Sequence, residues 1–238
     1  MPFTDRTRIL LGDDAVERLA GARICVFGLG GVGSACALDL VRAGVGNLTV
    51  VDFDVLQESN LNRVTYAYRE NLGRPKAEAY REAALRINPE VRIDVLDSLV
   101  RGAEAADSVP EGCDFYLDAI DTLNPKTNLM AALARRGLPF ASAMGTAGRL
   151  APECLKVGSL WDASGCPLAS DVRKRLRRQG FAPPGVAYAA FGSMGVSLPA
   201  AFDCVWSDEP PVPPAPPPGG LKAGDVVDGV RIRAVQGS

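Results

Sequence analysis

A glycine-rich turn near residue 30 constrains this fold more than any other feature of the sequence. An apolar run at residues 23–27 leads directly into Gly28-Leu29-Gly30-Gly31-Val32-Gly33-Ser34. Glycines at these spacings allow a tight turn between a strand and a helix, and they let backbone N–H groups approach a phosphate at the helix N-terminus. In another protein the same glycines could serve tight packing alone. Here Asp52 ends the next apolar run, where an acid can accept hydrogen bonds from a ribose, so we predict a nucleotide-binding unit.

Strand-like and helix-like segments alternate through the first 150 residues. Strand-length apolar runs occupy residues 23–27, 48–51, 91–96, 115–118 and 139–143, and helical periodicity occupies residues 13–19, 34–42, 75–87 and 125–136. This alternation predicts an α/β, Rossmann-like fold with a doubly wound, mostly parallel sheet and a C-terminal extension. Ligands of such sheets bind at the carboxyl ends of the strands, where Asp52, Asp54, Asp118 and Asp121 fall.

Composition excludes several kinds of chemistry. The 238 residues contain no histidine, so Ser-His and Cys-His catalysis is excluded and the commonest metal ligand is missing. The six cysteines form no CxxC pair, so we predict no zinc site and expect most of them to be small buried hydrophobic residues. Because the formal net charge is only −2, any contact with nucleic acid must come from a local basic patch.

The residues after Asp52 favour ATP over a nicotinamide cofactor. A triphosphate needs cations and amide donors around its oxygens, and a carboxylate to hold Mg²⁺. Asn60, Arg63, Lys76 and Asp121 supply those groups. Taken singly, each could be a surface charge or a turn residue. Their joint spacing therefore predicts a site for ATP and Mg²⁺ and makes an NAD-dependent dehydrogenase a distant alternative.

Five motifs in order give the first 145 residues a specific resemblance. The turn is followed by Asp52-Phe53-Asp54, Ser59-Asn60-Leu61-Asn62-Arg63, Gly73-Arg74-Pro75-Lys76 and Asp118-Ala119-Ile120-Asp121. This series resembles the adenylation domain of the ThiF/MoeB/HesA superfamily of ubiquitin-activating-like enzymes. The resemblance implies an enzyme that binds ATP and adenylates a carboxylate.

The resemblance also implies a role for each matched residue. Asp52 would bind the ribose, Asp121 would hold Mg²⁺, and the phosphates would lie against Asn60, Arg63 and Lys76. The full set that the resemblance places around ATP is Gly28, Gly30, Gly31, Gly33, Asp52, Asp54, Asn60, Arg63, Lys76 and Asp121. Arg6 matches an N-terminal arginine that reaches the ATP of the other subunit, which implies a homodimer. Catalysis would rest on Arg6, Arg63, Lys76 and Asp121.

Within the superfamily the sequence resembles most the tRNA threonylcarbamoyladenosine dehydratases. The segments that carry this likeness are Arg6-Thr7, Leu10-Leu11-Gly12-Asp13-Asp14, Asn62-Arg63, Asn71-Leu72-Gly73, Arg86-Ile87-Asn88-Pro89, Asp118-Ala119-Ile120-Asp121 and Pro167-Leu168-Ala169. The resemblance implies that the carboxylate of the modified nucleoside is adenylated and that a ring then closes with loss of water. This likeness also implies a cysteine-desulfurase or sulfur-acceptor system as a further partner.

A predicted basic helix follows the adenylation segment. Residues 167–178 place Leu168, Val172 and Leu176 on one face, and the cations on the rest of the helix are Arg173, Lys174, Arg175, Arg177 and Arg178. Such a run is often only a solvated face, but with the resemblance we expect it to bind tRNA. Cys166 and Cys204 are weak candidates for a nucleophile.

We predict three segments, which are an ATP-binding adenylation domain at residues 1–150, a basic-helix extension at 151–208 and a proline-rich region at 209–238. The longest apolar runs are strand-sized, so we expect a cytoplasmic protein. The resembled family usually continues into a further apolar helical segment beyond the position of Ser238, so we expect either that this sequence is truncated or that this member lacks the segment. If the segment exists, the resemblance implies peripheral membrane association. Two other functions stay open, namely an activator of a ubiquitin-like sulfur carrier, and a nucleotide-binding scaffold without turnover.

Overall fold

The computed structural model describes residues 3–97, 109–184, 198–199, 202–212, 226–227 and 230–231. The chain divides into two compact units, Met1–Ala143 and Met144–Ser238. Most of the predicted proline-rich segment at 209–238 lies outside the described residues. The division into three functional segments stays a prediction.

Five parallel strands form the sheet of the first unit. They are β1 (Arg23–Phe27), β2 (Asn47–Val51), β3 (Arg92–Leu96), β4 (Phe115–Asp118) and β5 (Phe140–Ala143). Their order is β3-β2-β1-β4-β5, so the chain moves outward from β1 to one edge and then crosses to the other side. Such a reversal leaves a crevice at the carboxyl ends of β1 and β4, which is where ligands of doubly wound sheets bind.

Two helices precede the sheet, namely α1 (Asp5–Leu11) and α2 (Asp13–Gly21). Three more connect its strands: α3 (Gly31–Ala43) lies between β1 and β2, α4 (Lys76–Ile87) between β2 and β3, and α5 (Leu123–Arg135) between β4 and β5. The core beside β1 and β2 consists of buried side chains from the strands, α3 and α4. Tyr80 of α4 is fully buried and donates a hydrogen bond of 2.9 Å to the Ala37 carbonyl of α3, so the two helices are joined by a polar contact inside an apolar layer.

In the second unit, the described residues form α6 (Pro167–Arg178) and six further strands. These are β6 (Leu155–Ser159), β7 (Phe181–Ala182), β8 (Leu198–Pro199), β9 (Asp203–Ser207), β10 (Val226–Val227) and β11 (Val230–Arg231). β6 pairs with β9 in antiparallel register, with Val157 opposite Val205. α6 buries Leu168, Val172 and Leu176, which is the apolar face that the sequence predicts.

The α/β Rossmann-like prediction is confirmed, with small differences at element ends. α3 begins at Gly31, three residues before the predicted start, because Gly30 takes the N-cap position at the end of the turn. Pro75 lies immediately before α4 rather than inside its first turn. In the second unit, β6 begins at Leu155 because Pro152–Cys154 forms a 3-10 turn immediately before it. Among the described residues, no helix combines the length and apolarity needed to cross a membrane.

Candidate functional site

The glycine turn is shaped by close backbone contacts. A Cβ at residue 33 would lie 1.8 Å from the Gly28 carbonyl oxygen, so no side chain fits where α3 rests on the turn. Gly28 has φ 85°, and a Cβ there would lie 3.0 Å from the Ala119 carbonyl oxygen after β4. At Gly30, in contrast, a Cβ would meet no atom within 4 Å. The middle of the turn is thus open, at the N-terminus of a 13-residue helix where an anion is favoured.

Asp52 holds this turn in place. Its Oδ2 accepts a hydrogen bond of 2.6 Å from the Leu29 N–H, and its Oδ1 accepts one of 2.8 Å from the Asp54 N–H. Burial raises the pKa of the Asp52 carboxyl, while the two N–H donors and the charge of Lys76 oppose that rise. The sequence assigns Asp52 to a ribose, and the structure shows in addition that it braces the turn.

Lys76 is positioned by the start of α4. Its side chain is only 8% exposed, and its Nζ lies 2.8 Å from Asp54 Oδ2. The preceding residues are fixed by backbone bonds between Leu56 and Arg74 and between Gly73 and Leu56. A lysine held this way presents its charge at a defined place, and Asp54 supplies the counter-charge when no phosphate is bound.

Arg63 lies over the glycine turn. Its Nη1 donates to the Ser59 carbonyl at 2.6 Å and to Asn62 Oδ1 at 3.2 Å, and a Cβ at Gly31 would lie 3.2 Å from its Cδ. Asn60 is buried, and its Oδ1 accepts the Gln57 N–H at 3.0 Å. The guanidinium is exposed, so its remaining donors can reach a ligand.

The turn after β4 completes the site. Asp118 is 1% exposed, whereas Asp121 is exposed and its Oδ1 accepts a hydrogen bond from the Thr122 hydroxyl at 3.1 Å. No three Cys, Asp or Glu side chains cluster as metal ligands in the described part of the chain. Mg²⁺ usually keeps several waters and binds one or two carboxylates together with substrate phosphates. A lone exposed carboxylate such as Asp121 fits that mode.

Hence the structure brings most of the predicted residues to one edge of the sheet. Gly28 lies against Ala119, and Gly31 lies against the Arg63 side chain. Asp52 accepts a hydrogen bond from the backbone of the turn. Arg6 is different, because it is exposed on α1 and its side chain makes no hydrogen bond or ion pair with any described residue.

Sequence patterns missed two residues of this region. Lys126 and Ser142 are both fully buried, and both bind Asp118 Oδ2, at 2.7 Å and 2.6 Å. Lys126 also donates to the Ser142 Oγ at 3.0 Å. A lysine on an otherwise apolar face of α5 is the signal that could have found the first of them, because an unpaired lysine is rarely buried.

The basic helix α6 forms a second candidate surface. Arg173 Nη1 donates to the carbonyls of Leu160, at 2.9 Å, and Ala163. Lys174 pairs with Asp171 at 2.9 Å, and the Arg177 guanidinium lies 5.4 Å from the Trp161 ring centre. Arg173 therefore ties the helix to the 3-10 turn Leu160–Asp162 and to Ala163, which follows it. Three of the predicted cations are exposed, namely Lys174, Arg177 and Arg178, and Arg175 is half-buried.

The cysteines serve mainly as packing groups. Cys25, Cys166 and Cys204 are buried and the other three are half-buried. The Cys166 Sγ accepts the Ala169 N–H at 3.5 Å as the N-cap of α6. Hydrogen bonding with Cys25 lowers the pKa of the Cys113 thiol to about 6. The nucleophilic roles considered for Cys166 and Cys204 stay predictions.

Comparison with known proteins finds a matching family model and similar sequences. Residues 4–159 match the model of the ThiF family. The tRNA threonylcarbamoyladenosine dehydratase of Escherichia coli strain K12 is 37% identical over 85% of this chain and 72% of its own length. The molybdopterin-synthase adenylyltransferase of the same organism is 39% identical over 54% of this chain and 51% of its own.

A solved structure extends the comparison to the fold. The crystal structure of the E. coli dehydratase, TcdA, in complex with ATP superposes with a TM-score of 0.77 at 35% identity. The match covers 89% of this chain and 83% of that one. It therefore includes residues well beyond the five-stranded sheet of the first unit.

Two glycine substitutions test the turn. Gly33→Ala forces a methyl group onto the Gly28 carbonyl, so the free energy of unfolding should fall by about 1–3 kcal/mol in urea titrations. Gly30→Ala meets no protein atom and should leave that free energy within about 0.5 kcal/mol of the parent. Calorimetry should nevertheless show at least about tenfold weaker ATP binding to Gly30→Ala, because the methyl group fills the open middle of the turn. Unchanged ATP affinity in Gly30→Ala would contradict a phosphate at this position.

Proposed function

This chain belongs to the ThiF family, and on that basis we propose that it is an ATP-dependent tRNA threonylcarbamoyladenosine dehydratase. The observation that carries the proposal is the extent of the likeness to the E. coli dehydratase. That match covers 203 residues, so it is longer than the whole first unit and must continue into the second. The ATP complex of the same relative supports ATP as the co-substrate here.

The proposed reaction has two steps. First, a carboxylate oxygen of threonylcarbamoyladenosine attacks the α-phosphorus of ATP, and pyrophosphate leaves. Second, a heteroatom of the carbamoyl unit attacks the activated carbonyl carbon, loses its proton and expels AMP. One oxygen of the original carboxylate leaves in AMP, so the nucleoside loses the elements of water.

The described residues can supply what the first step needs. The N–H groups of the glycine turn and the α3 N-terminus would bind phosphate oxygens at the open Gly30 position. Lys76 and Arg63 would exchange their present oxygen partners for phosphate oxygens and offset charge on the departing pyrophosphate. When bound, Mg²⁺ would neutralise negative charge on the phosphates, and Asp121 is the carboxylate that we assign to hold it.

The decisive experiment compares tRNA that bears threonylcarbamoyladenosine with the same tRNA lacking it. With ATP and Mg²⁺, the purified protein should release AMP and pyrophosphate only with the modified tRNA. Mass spectrometry should then find the nucleoside lighter by one water. Lys76→Met should abolish turnover, whereas Lys156→Met, which changes an exposed lysine of β6, should not. Stimulation by a carrier protein ending in Gly-Gly, and by neither tRNA, would instead establish the second candidate.

That second candidate is an activator of a ubiquitin-like sulfur carrier, working with a cysteine-desulfurase or sulfur-acceptor partner. The identity to the molybdopterin-synthase adenylyltransferase favours it. However, that match covers only 129 residues, fewer than the first unit contains. The dehydratase is therefore the better supported function, and its tRNA substrate favours a cytoplasmic protein.

We further propose that α6 contacts tRNA phosphates. Removing the charge of Arg178 or Lys174, both exposed, should weaken tRNA binding and reduce the slope of log affinity against log salt by about one each. Arg81→Ala on α4 is the matched control, since it removes an exposed arginine outside α6 and should leave the slope unchanged. Filter binding from low to high salt measures both. Equal slopes for all variants would contradict a role of α6.

A homodimer with shared sites is also proposed, because the family likeness assigns Arg6 to ATP of the other subunit, and the exposed Arg6 side chain makes no hydrogen bond or ion pair with a described residue. In it, Arg6 of one subunit would reach ATP bound by the other. Arg6→Ala and Lys76→Ala proteins should each be inactive. Mixed and allowed to exchange subunits, they should regain a measurable fraction of AMP release, because a hybrid dimer contains one site with both residues intact. No recovery in a mixture shown to contain hybrids would contradict sharing.

A further inference from the structure

A closed polar cluster lies directly beneath the turn after β4. Lys126 of α5 and Asp118 at the end of β4 form an ion pair of 2.7 Å in which both side chains are 0% exposed. Ser142 of β5 donates to Asp118 Oδ2 at 2.6 Å and accepts from Lys126 Nζ at 3.0 Å. None of these side chains reaches the surface, so none can touch a ligand.

Such a pair is costly to keep for stability alone. Removing two charges from water costs several kcal/mol, and apolar side chains of similar shape often replace a buried ion pair without loss of stability. Neighbouring positions on α5, such as Leu129 and Met130, are fully buried and apolar. The retention of two buried charges therefore indicates that the cluster has a role that apolar side chains could not perform.

The remaining oxygen of Asp118 indicates that role. Asp118 Oδ1 accepts a hydrogen bond of 3.0 Å from the Ile120 N–H, and the Ala119 N–H donates to the Phe27 carbonyl at 2.8 Å. The Ala119 carbonyl in turn lies against Gly28 of the glycine turn. The cluster thus fixes the backbone that leads to the exposed Asp121.

We propose that Lys126 and Ser142 are positioning residues for adenylation. They hold Asp118 in one orientation, Asp118 fixes the backbone of residues 119–121, and that backbone aims the Asp121 carboxylate at the phosphates. This inference rests on the proposed function, because that function assigns Asp121 to Mg²⁺. A merely structural cluster would tie β4, β5 and α5 together, and any well-packed replacement would then serve.

Two matched replacements separate these roles. Asp118→Asn with Lys126→Met removes both charges but keeps an oxygen that can accept the Ile120 N–H and an amide that can donate to Ser142. Asp118→Leu with Lys126→Met and Ser142→Ala fills the same space with apolar groups and leaves the Ile120 N–H without its acceptor. Urea titrations first test whether each of these two proteins is folded.

Amide hydrogen exchange of nucleotide-free protein is the direct measurement. In the asparagine variant (Asp118→Asn with Lys126→Met), the Ile120 amide should exchange within about threefold of the parent rate. In the leucine variant (Asp118→Leu with Lys126→Met and Ser142→Ala), it should exchange at least about tenfold faster than in the parent. For AMP formation, the leucine variant should need about tenfold more Mg²⁺ for half-maximal rate and show a kcat at least about tenfold lower, with KM for ATP nearly unchanged. The asparagine variant should stay within about threefold of the parent in each constant.

The outcomes distinguish the two proposals. A folded leucine variant with parental exchange and parental Mg²⁺ dependence would overturn the positioning role, as would equal losses in both variants. If the leucine variant does not fold, Ser142→Ala alone replaces it, and Ile120 exchange and the Mg²⁺ concentration for half-maximal rate should then each rise at least about fivefold. If the parent protein forms no AMP with any substrate, the proposed function fails, while the exchange comparison still reports on the cluster.

Discussion

The contact between Gly33 and the Gly28 carbonyl is the constraint on which the site depends. Because any side chain at residue 33 would collide with that carbonyl, α3 can rest directly on the end of β1. The helix N-terminus then faces the open Gly30 position with its unpaired N–H groups. Asp52 fixes the turn from β2, and Ala119 closes it from the segment after β4. The central part of the sheet thus converges on one small space at the N-terminus of α3.

The cations around that space already have oxygen partners within the protein. Lys76 pairs with the Asp54 carboxylate, and Arg63 donates to neutral oxygens of its own segment. Each cation is therefore held in a defined position. Binding of a triphosphate would exchange one set of oxygen partners for another, so little of the binding energy would be spent on ordering the side chains.

Local patterns allowed the parallel sheet and the glycine turn to be predicted, because strand period, helix period and glycine spacing are local properties. The family likeness added the candidate site residues, whose roles stay predictions. The buried partners of Asp118 were not predictable in the same way. Lys126 and Ser142 are 8 and 24 residues away from it along the chain, and only the packing of β4, β5 and α5 brings them together. Arg173 shows the same limit, because its carbonyl partners, Leu160 and Ala163, cannot be predicted from the charge pattern of α6.

Isotope transfer tests the central claim, carboxylate adenylation at the glycine turn, most directly. Threonylcarbamoyladenosine in tRNA would carry ¹⁸O in its carboxylate, and the phosphorus products of one round of reaction with ATP and Mg²⁺ would be analysed by mass spectrometry. Attack of the carboxylate on the α-phosphorus predicts that AMP gains one ¹⁸O atom and that pyrophosphate gains none. Label in orthophosphate together with ADP would mean that the carboxylate attacks the γ-phosphorus, and it would contradict adenylation at this site.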